Sequence, residues 1–263
     1  MQIDWTRAEQ DDRPLACVEI GGGSIQTVLF VDGRRPRLMD GAHQSSGTQL
    51  AIAVPGIISQ GLVVHASNLG WRFTDPVRAL ELEGPADVVM NDAEAAALGE
   101  AALRGADGLR SLVYLCIGTG IGGAVVRDGE VVQSNLFGHN AEDHGRAFGD
   151  LECRCGRRGC LETVASGWAL PEPIDDALLH TVADRLATAI DAHPLASEGT
   201  IVIGGGIARR YLSLVTHLKH ALSDRVVEHT LAPYDAKSAA AWGLRFVLRG
   251  AIEASDRGTV PYV

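Results

Sequence analysis

The chain has 263 residues, 46% of them hydrophobic, with 23 Lys and Arg against 33 Asp and Glu and a formal net charge of −10. That length accommodates one large domain or two lobes of about 100–150 residues each, with enough apolar residues to bury a core. The acidic balance lacks the basic face of a phosphate-tracking nucleic-acid binder, and no apolar run reaches the roughly 18 residues of a membrane span. Residues 1–14, MQIDWTRAEQDDRP, are too polar for a secretory leader. The expectation is a soluble cytoplasmic protein with no nucleic-acid or membrane partner.

In chain order, LACVEI (15–20), IQTVLFV (25–31), RPRLM (35–39) and LAIAVPG (50–56) read as strands separated by Gly-rich or Asp-Gly turns. A helix is predicted over 76–83, then a short buried strand DVVM (87–90) and an Ala-rich helix over 92–104. LVYLCI (112–117), GGAVVR (122–127) and EVVQ (130–133) repeat the early strand pattern. Long helices follow at 174–192, 208–222 and 236–254, with a buried strand IVIG (201–204) between the first two.

The two strand-rich stretches resemble each other. Each has a strand, a Gly-rich turn (GGGS at 21–24, GTGIGG at 118–123), a second strand, an Asp-Gly turn (Asp32-Gly33, Asp128-Gly129) and a third strand. Asp-Gly between β runs is a strong hairpin signal. The pattern predicts a duplicated α/β unit and two facing lobes, residues 1–92 with 236–263 and residues 93–235.

Gly118, Gly120 and Gly123 spell G-x-G-x-x-G, but a strand follows where the dinucleotide fingerprint requires a helix. A glycine turn can still hold phosphate through its backbone amides, or be a tight turn and nothing more. Two such turns on opposing lobes would grip a nucleotide's phosphates from both sides. Asn91-Asp92 at the head of the Ala-rich helix has two readings as well. Asn91 with Glu94 resembles a capping box, and a carboxylate at the carboxyl end of a strand is where α/β folds place catalytic bases.

The run ECRCGRRGCLE (152–162) holds Cys153, Cys155 and Cys160. A structural disulfide is disfavoured in a reducing compartment, Cys-x-Cys is cramped for one, and the redox spacing Cys-x-x-Cys is absent. Thiolates at short spacing with Gly156 and Gly159 between them suit a zinc loop. His144 upstream is the expected fourth ligand, with His139 as a more distant competitor. A filled four-ligand shell makes the zinc structural. Cys17 and Cys116, inside strand-like runs, read as small core residues.

The stretch GHNAEDHGRAFGDLECRCGRRGCLE (138–162) resembles the signature of the ROK family (repressors, uncharacterised reading frames and sugar kinases), A-G-E-x-G-H followed by C-x-C-G-x-x-G-C-x-E. EIGGGS (19–24), VPGII (54–58), NLGW (68–71), VVMNDAEAAALGE (88–100), GTGIGGA (118–124) and IVIGGGIA (201–208) are similar to the family's other motifs, in family order. The resemblance implies an α/β, two-lobed actin-like ATPase (ribonuclease H-like, duplicated βββαβα) fold, with sugar and ATP in a cleft. It implies a kinase that passes the ATP γ-phosphoryl to a hexose or amino-sugar hydroxyl, commonly O6. Asp92 would then be the catalytic base, and Asn68, Asn91, Glu142, His144 and Glu162 would contact sugar. Gly21, Gly22, Gly23, Ser24, Gly118, Thr119, Gly120, Gly122, Gly204, Gly205 and Gly206 would lie on ATP. His144, Cys153, Cys155 and Cys160 would hold zinc, and Glu19 would face Mg²⁺. Family members are often homodimers, which is the expectation here.

Several positions depart from the family pattern. Glu19 and Gly23 stand where the first phosphate loop usually has Asp and Thr, and Glu94 replaces an Asn. Glu142-Asp143-His144 is one residue short of E-x-G-H, and only residues 41–50 separate the third strand from LAIAVPG, where a helix is usual. Two expectations remain: an ATP-dependent sugar kinase, with polyphosphate as another donor, or a catalytically weakened sugar-binding or regulatory protein without a DNA-binding region.

Overall fold

LACVEI, with five of its six residues buried, forms β1 (Leu15–Ile20). It pairs antiparallel with β2 (Ile25–Phe30), which pairs in turn with β3 (Arg37–Asp40). The computed structural model describes residues 13–21, 23–32, 34–134, 137–139, 148–193, 196, 199–222, 225, 227–230 and 238–249. Residues 41–48 cross to β4 (Gln49–Val54) without a helix, so the helix usual in the family is missing here. β4 is buried at every position, as befits a strand with parallel neighbours on both sides.

A feature the sequence did not announce comes next. β5 (Ile57–Ser59), β6 (Leu62–Ala66) and β7 (Trp71–Thr74) make a separate antiparallel sheet. Gln60 and Gly61, both at positive φ (50° and 77°), close its first hairpin. α1 (Pro76–Ala79) is capped by Asp75, whose carboxylate accepts from the Val77 amide at 2.9 Å. β8 (Val88–Asn91) then joins β4, and α2 (Asp92–Leu103) and α3 (Ala106–Arg110) follow.

The second sheet repeats the first. β9 (Ser111–Ile117), β10 (Ile121–Arg127) and β11 (Glu130–Gln133) form an antiparallel meander. α4 (Glu162–Ala165) and α5 (Asp176–Asp191) lead to β12 (Thr200–Gly204), parallel to β9. After α6 (Gly206–Arg210) and α7 (Ser213–Ala221), β13 (Val227–His229) adds parallel to β12. The orders β3-β2-β1-β4-β8 and β11-β10-β9-β12-β13 are the same topology, which the repeated Gly-turn pattern led one to expect. The helix predicted over 208–222 is two helices. Tyr211 leaves helical geometry (φ −119°, ψ 81°) and its hydroxyl accepts the Ile174 amide at 3.2 Å.

The chain divides into two units, Met1–Leu109 with Leu231–Val263, and Arg110–Thr230. The first therefore extends past residue 92, where the sequence pattern put its edge. The reason is α8 (Ala239–Arg249), against which α2 packs along its length. A Cβ on Gly243 would lie 1.7 Å from Ala95 O and one on Gly99 2.0 Å from Ala239 O, so only glycine permits this approach. In the first unit Val18, Ile52 and Val54 pack with Val63 and Ala66 beneath the small sheet, while Phe30 meets Trp242 of α8 edge-on, ring centroids 5.1 Å apart. In the second, β9, β10 and β12 are packed by α5 and α7. Among the described residues no helix is long and apolar enough to cross a membrane.

Candidate active site and metal centre

In the first unit, the parallel strands end at a pair of adjacent polar residues. Asn91 caps α2: its Oδ1 accepts the amides of Ala93 (2.9 Å) and Glu94 (3.1 Å), and its Nδ2 donates to Gly56 O (3.0 Å). The capping reading is therefore realised, and one amide hydrogen of Asn91 is left over for a ligand. Asp92 opens the helix, its Oδ1 accepting the Ala93 amide at 2.9 Å. Loss of solvation, then the Glu19 carboxylate, push its pKa up to about 7 against the lowering effect of the backbone amides. Glu19 sits at the end of β1, held by Gln26 Nε2 at 2.7 Å across the Glu19–Gln26 register pair. Glu19 is thus near enough for its charge to disfavour ionisation of Asp92. The adjoining glycine turn is closed by the Gly21 amide on Ser24 O (2.8 Å). Gly22 lies outside the described residues, a Cβ on Gly23 would meet nothing within 4 Å, and Asn68 lies in the turn between β6 and β7.

In the second unit, Gly118, Thr119 and Gly120 join β9 to β10. The turn closes through the Gly118 amide on Gly120 O (2.9 Å) and is braced from behind by the Gly167 and Trp168 amides, on Gly118 O (2.8 Å) and Thr119 O (3.1 Å). Thr119 is exposed, and Gly122 lies in β10. At the end of β12, Gly205 has φ 91° and a Cβ there would come 2.4 Å from Ile117 O. Gly204, Gly205 and Gly206 thus turn the strand sharply into α6.

Glu162 is 2% exposed. Its Oε1 accepts the Ile121 amide at 2.7 Å and its Oε2 the Trp168 indole N–H at 3.1 Å. It therefore ties the glycine turn, through Ile121, to the cysteine loop. That loop is a tight knuckle: the Cys153 amide bonds Arg157 O (2.7 Å), the Gly156 amide bonds Cys153 O (2.8 Å) and the Gly159 amide bonds Leu151 O (3.0 Å). Trp168 packs on it and carries the Arg154 guanidinium 4.8 Å from its ring centre.

The donor atoms of His139, Cys153, Cys155 and Cys160 all lie within 4.8 Å of one another. Cys155 Sγ is 3.7 Å from Cys160 Sγ, and Cys153 Sγ is 3.6 Å from His139 Nδ1. These are not disulfide distances. They fit the edges of a tetrahedron with zinc–sulfur bonds of about 2.3 Å and zinc–nitrogen bonds of about 2.0–2.1 Å, whose S–S and S–N edges are about 3.8 and 3.6 Å. Burial and the neighbouring Cys153 push the Cys160 thiol up to about 12, and binding of a metal would have to displace its proton.

Among the described residues, the candidate fourth donor is His139. Spacing points to His144, which with Glu142 lies outside the described residues. The signal available in the sequence was Gly138-His139, a G-H pair. A Cβ on Gly138 would fall 2.1 Å from Ile121 O, and Gly138 O accepts the Glu162 amide at 3.2 Å, so this glycine fixes where His139 points. With G-H at 138–139, the motif's Glu falls on Leu136, itself outside the described residues.

The ROK family profile matches residues 37–193. The chain is 30% identical over 209 residues to a glucokinase of Halalkalibacterium halodurans, covering 76% of this chain and 63% of that protein. It is 40% identical over 130 residues to an N-acetylmannosamine kinase of Citrobacter koseri, covering 47% of this chain and 44% of that one. The chain therefore spans less than two thirds of each of these relatives. Among solved structures, a ROK family glucokinase from Streptomyces griseus in complex with glucose and AMPPNP shares the fold, with TM-score 0.66 and 19% identity over 88% of this chain and 98% of that one. A family profile over more than half of the chain, together with this likeness, shows that this chain belongs to the ROK family.

Proposed function

We propose that this protein is a sugar kinase that transfers the γ-phosphoryl group of ATP to a hydroxyl of a hexose or amino sugar, with O6 as the acceptor. The observation that carries the reading is Asp92, a carboxylate at the head of α2 whose pKa is raised to about 7 by lost solvation and by Glu19. A base with that pKa takes a proton near neutral pH with little driving force wasted.

In this reading the acceptor hydroxyl donates to the Asp92 carboxylate. As the hydroxyl oxygen bonds to the γ-phosphorus and the bond to ADP breaks, its proton passes to Asp92. The remaining Asn91 amide hydrogen would orient a sugar hydroxyl beside Asp92, and the family resemblance assigns Glu162 to sugar and the glycine turns to phosphate. Glu19 would face Mg²⁺, which supplies charge neutralisation when bound. The cysteines and His139 would hold zinc, which keeps the knuckle folded. The names of the relatives, glucokinase and N-acetylmannosamine kinase, support the substrate class.

The test incubates the protein with a panel of hexoses and N-acetylhexosamines, offering ATP in one arm and polyphosphate in the other, and looks for sugar phosphate by ³¹P NMR. Sugar phosphate in the ATP arm is expected. Sugar binding without phosphorylation from either donor would instead make the protein a sugar-binding or regulatory member of the family.

A further inference from the structure

On the outer side of the second unit, α5 and α7 bring two histidines together. His180 Nδ1 lies 3.4 Å from His217 Nδ1, with ring centroids 5.0 Å apart. Each ring has a carboxylate at its other nitrogen: His217 Nε2 is 3.0 Å from Asp176 Oδ1, and His180 Nε2 is 3.8 Å from Asp184 Oδ2. The site is reachable from solvent, His180 being 59% and His217 18% exposed.

The tautomers do not resolve this arrangement by themselves. If each Nε2–H donates to its aspartate, the two Nδ1 lone pairs point at each other. If one ring moves its proton to Nδ1, its bare Nε2 faces a carboxylate. A cation between the two Nδ1 atoms relieves both conflicts. A carboxylate behind each ring is the arrangement that orients metal-bound histidines and raises their basicity. The spacing also fits: at zinc–nitrogen bonds of about 2.0–2.1 Å, a tetrahedral edge is about 3.3–3.4 Å.

We propose that His180 and His217 form a second metal site, separate from the cysteine centre, that binds a borderline divalent transition ion such as Zn²⁺ through both Nδ1 atoms. Asp176 and Asp184 hold the rings, and water completes the shell. Two imidazoles make the site weaker than the four-donor centre. Its ion clips α5 to α7 across residues far apart in sequence, so binding stabilises the folded unit by mass action.

The test strips the full-length protein with chelator and titrates it with Zn²⁺ against a chromophoric competitor. Wild type is expected to bind two equivalents, the second at micromolar free zinc. His180→Ala, an exposed position that leaves the core untouched, should bind one equivalent or bind the second at least tenfold more weakly, and so should His217→Asn. Cys155→Ser should lose the tight equivalent and keep the weak one. Only a single equivalent in wild type, or an unchanged second equivalent in His180→Ala, overturns the proposal and leaves a shared proton as the bridging cation.

Discussion

His139 presents its Nε2 to Glu162, 3.7 Å from Oε1, while its Nδ1 lies 3.6 Å from Cys153 Sγ. One imidazole thus faces the cysteine cluster on one side and a buried carboxylate on the other. When Nδ1 binds a metal, the ring proton sits on Nε2 and points toward Glu162. A metal bound at Nδ1 would therefore act on Glu162 through this ring.

His139→Ala and Cys155→Ser should each lose the tightly bound zinc, whereas His144→Ala should keep it. Losing the metal should weaken sugar binding about 10–100-fold, the usual cost of disturbing such a supporting network, and leave nucleotide affinity within a few-fold. Metal analysis with calorimetric titration of sugar and nucleotide checks both. Zinc retained by His139→Ala contradicts the assignment of the fourth donor.

Asp92 should govern the pH dependence of turnover. Its pKa of about 7 sets an acid limb in kcat/KM, with activity rising as the carboxylate ionises. Glu19→Gln removes the neighbouring charge, so the limb should move to lower pH. A profile flat from pH 5 to 9 would rule out Asp92 as the titrating base.

The same raised pKa has a stability consequence of definite sign. The folded protein holds the Asp92 proton more tightly than the unfolded chain, whose value is near 3.8. Ionisation therefore costs nothing at about pH 3, a growing amount between about 4 and 7, and its full amount above about 7. Asp92→Asn should be more stable than wild type by about 1–3 kcal/mol at pH 8, with the gain vanishing toward pH 4. Urea denaturation at the two pH values measures it.

Gly243→Ala should destabilise the first unit by about 1–3 kcal/mol or more, because its Cβ must push α2 and α8 apart. Ala241→Gly, which opens no clash, should cost about 1–2 kcal/mol through helix propensity and the loss of one buried methyl group. Thermal denaturation of the pair separates the two effects.

The parts of this fold that the sequence made legible are those in which local pattern and burial agree. LACVEI and QLAIAV are strands because nearly every residue is buried between neighbours, and the repeated glycine turns disclosed the duplication. The small sheet β5–β7 was not legible: its strands are short and exposed residues such as Phe73 and Ile57 interrupt the alternation. The break at Tyr211 depends on a tertiary hydrogen bond to Ile174 that no local pattern encodes. At the site, the cysteines declared themselves by spacing, but spacing favoured His144 over His139. The case for His139 rests on Gly138, whose fit against Ile121 exists only once β10 and α4 are assembled.

If Asp92 activates a sugar hydroxyl for phosphoryl transfer, turnover depends on its carboxylate. The most direct measurement is sugar-dependent ADP release by wild type and Asp92→Asn, with glucose and N-acetylmannosamine as acceptors and sugar affinity measured alongside. The expected result is turnover by wild type with at least one of these sugars, reduced about 10²–10⁴-fold or more in Asp92→Asn, with sugar affinity within a few-fold. Equal turnover by the two proteins would contradict the role of Asp92, and no sugar-dependent turnover by wild type, with sugar still bound, would contradict the kinase.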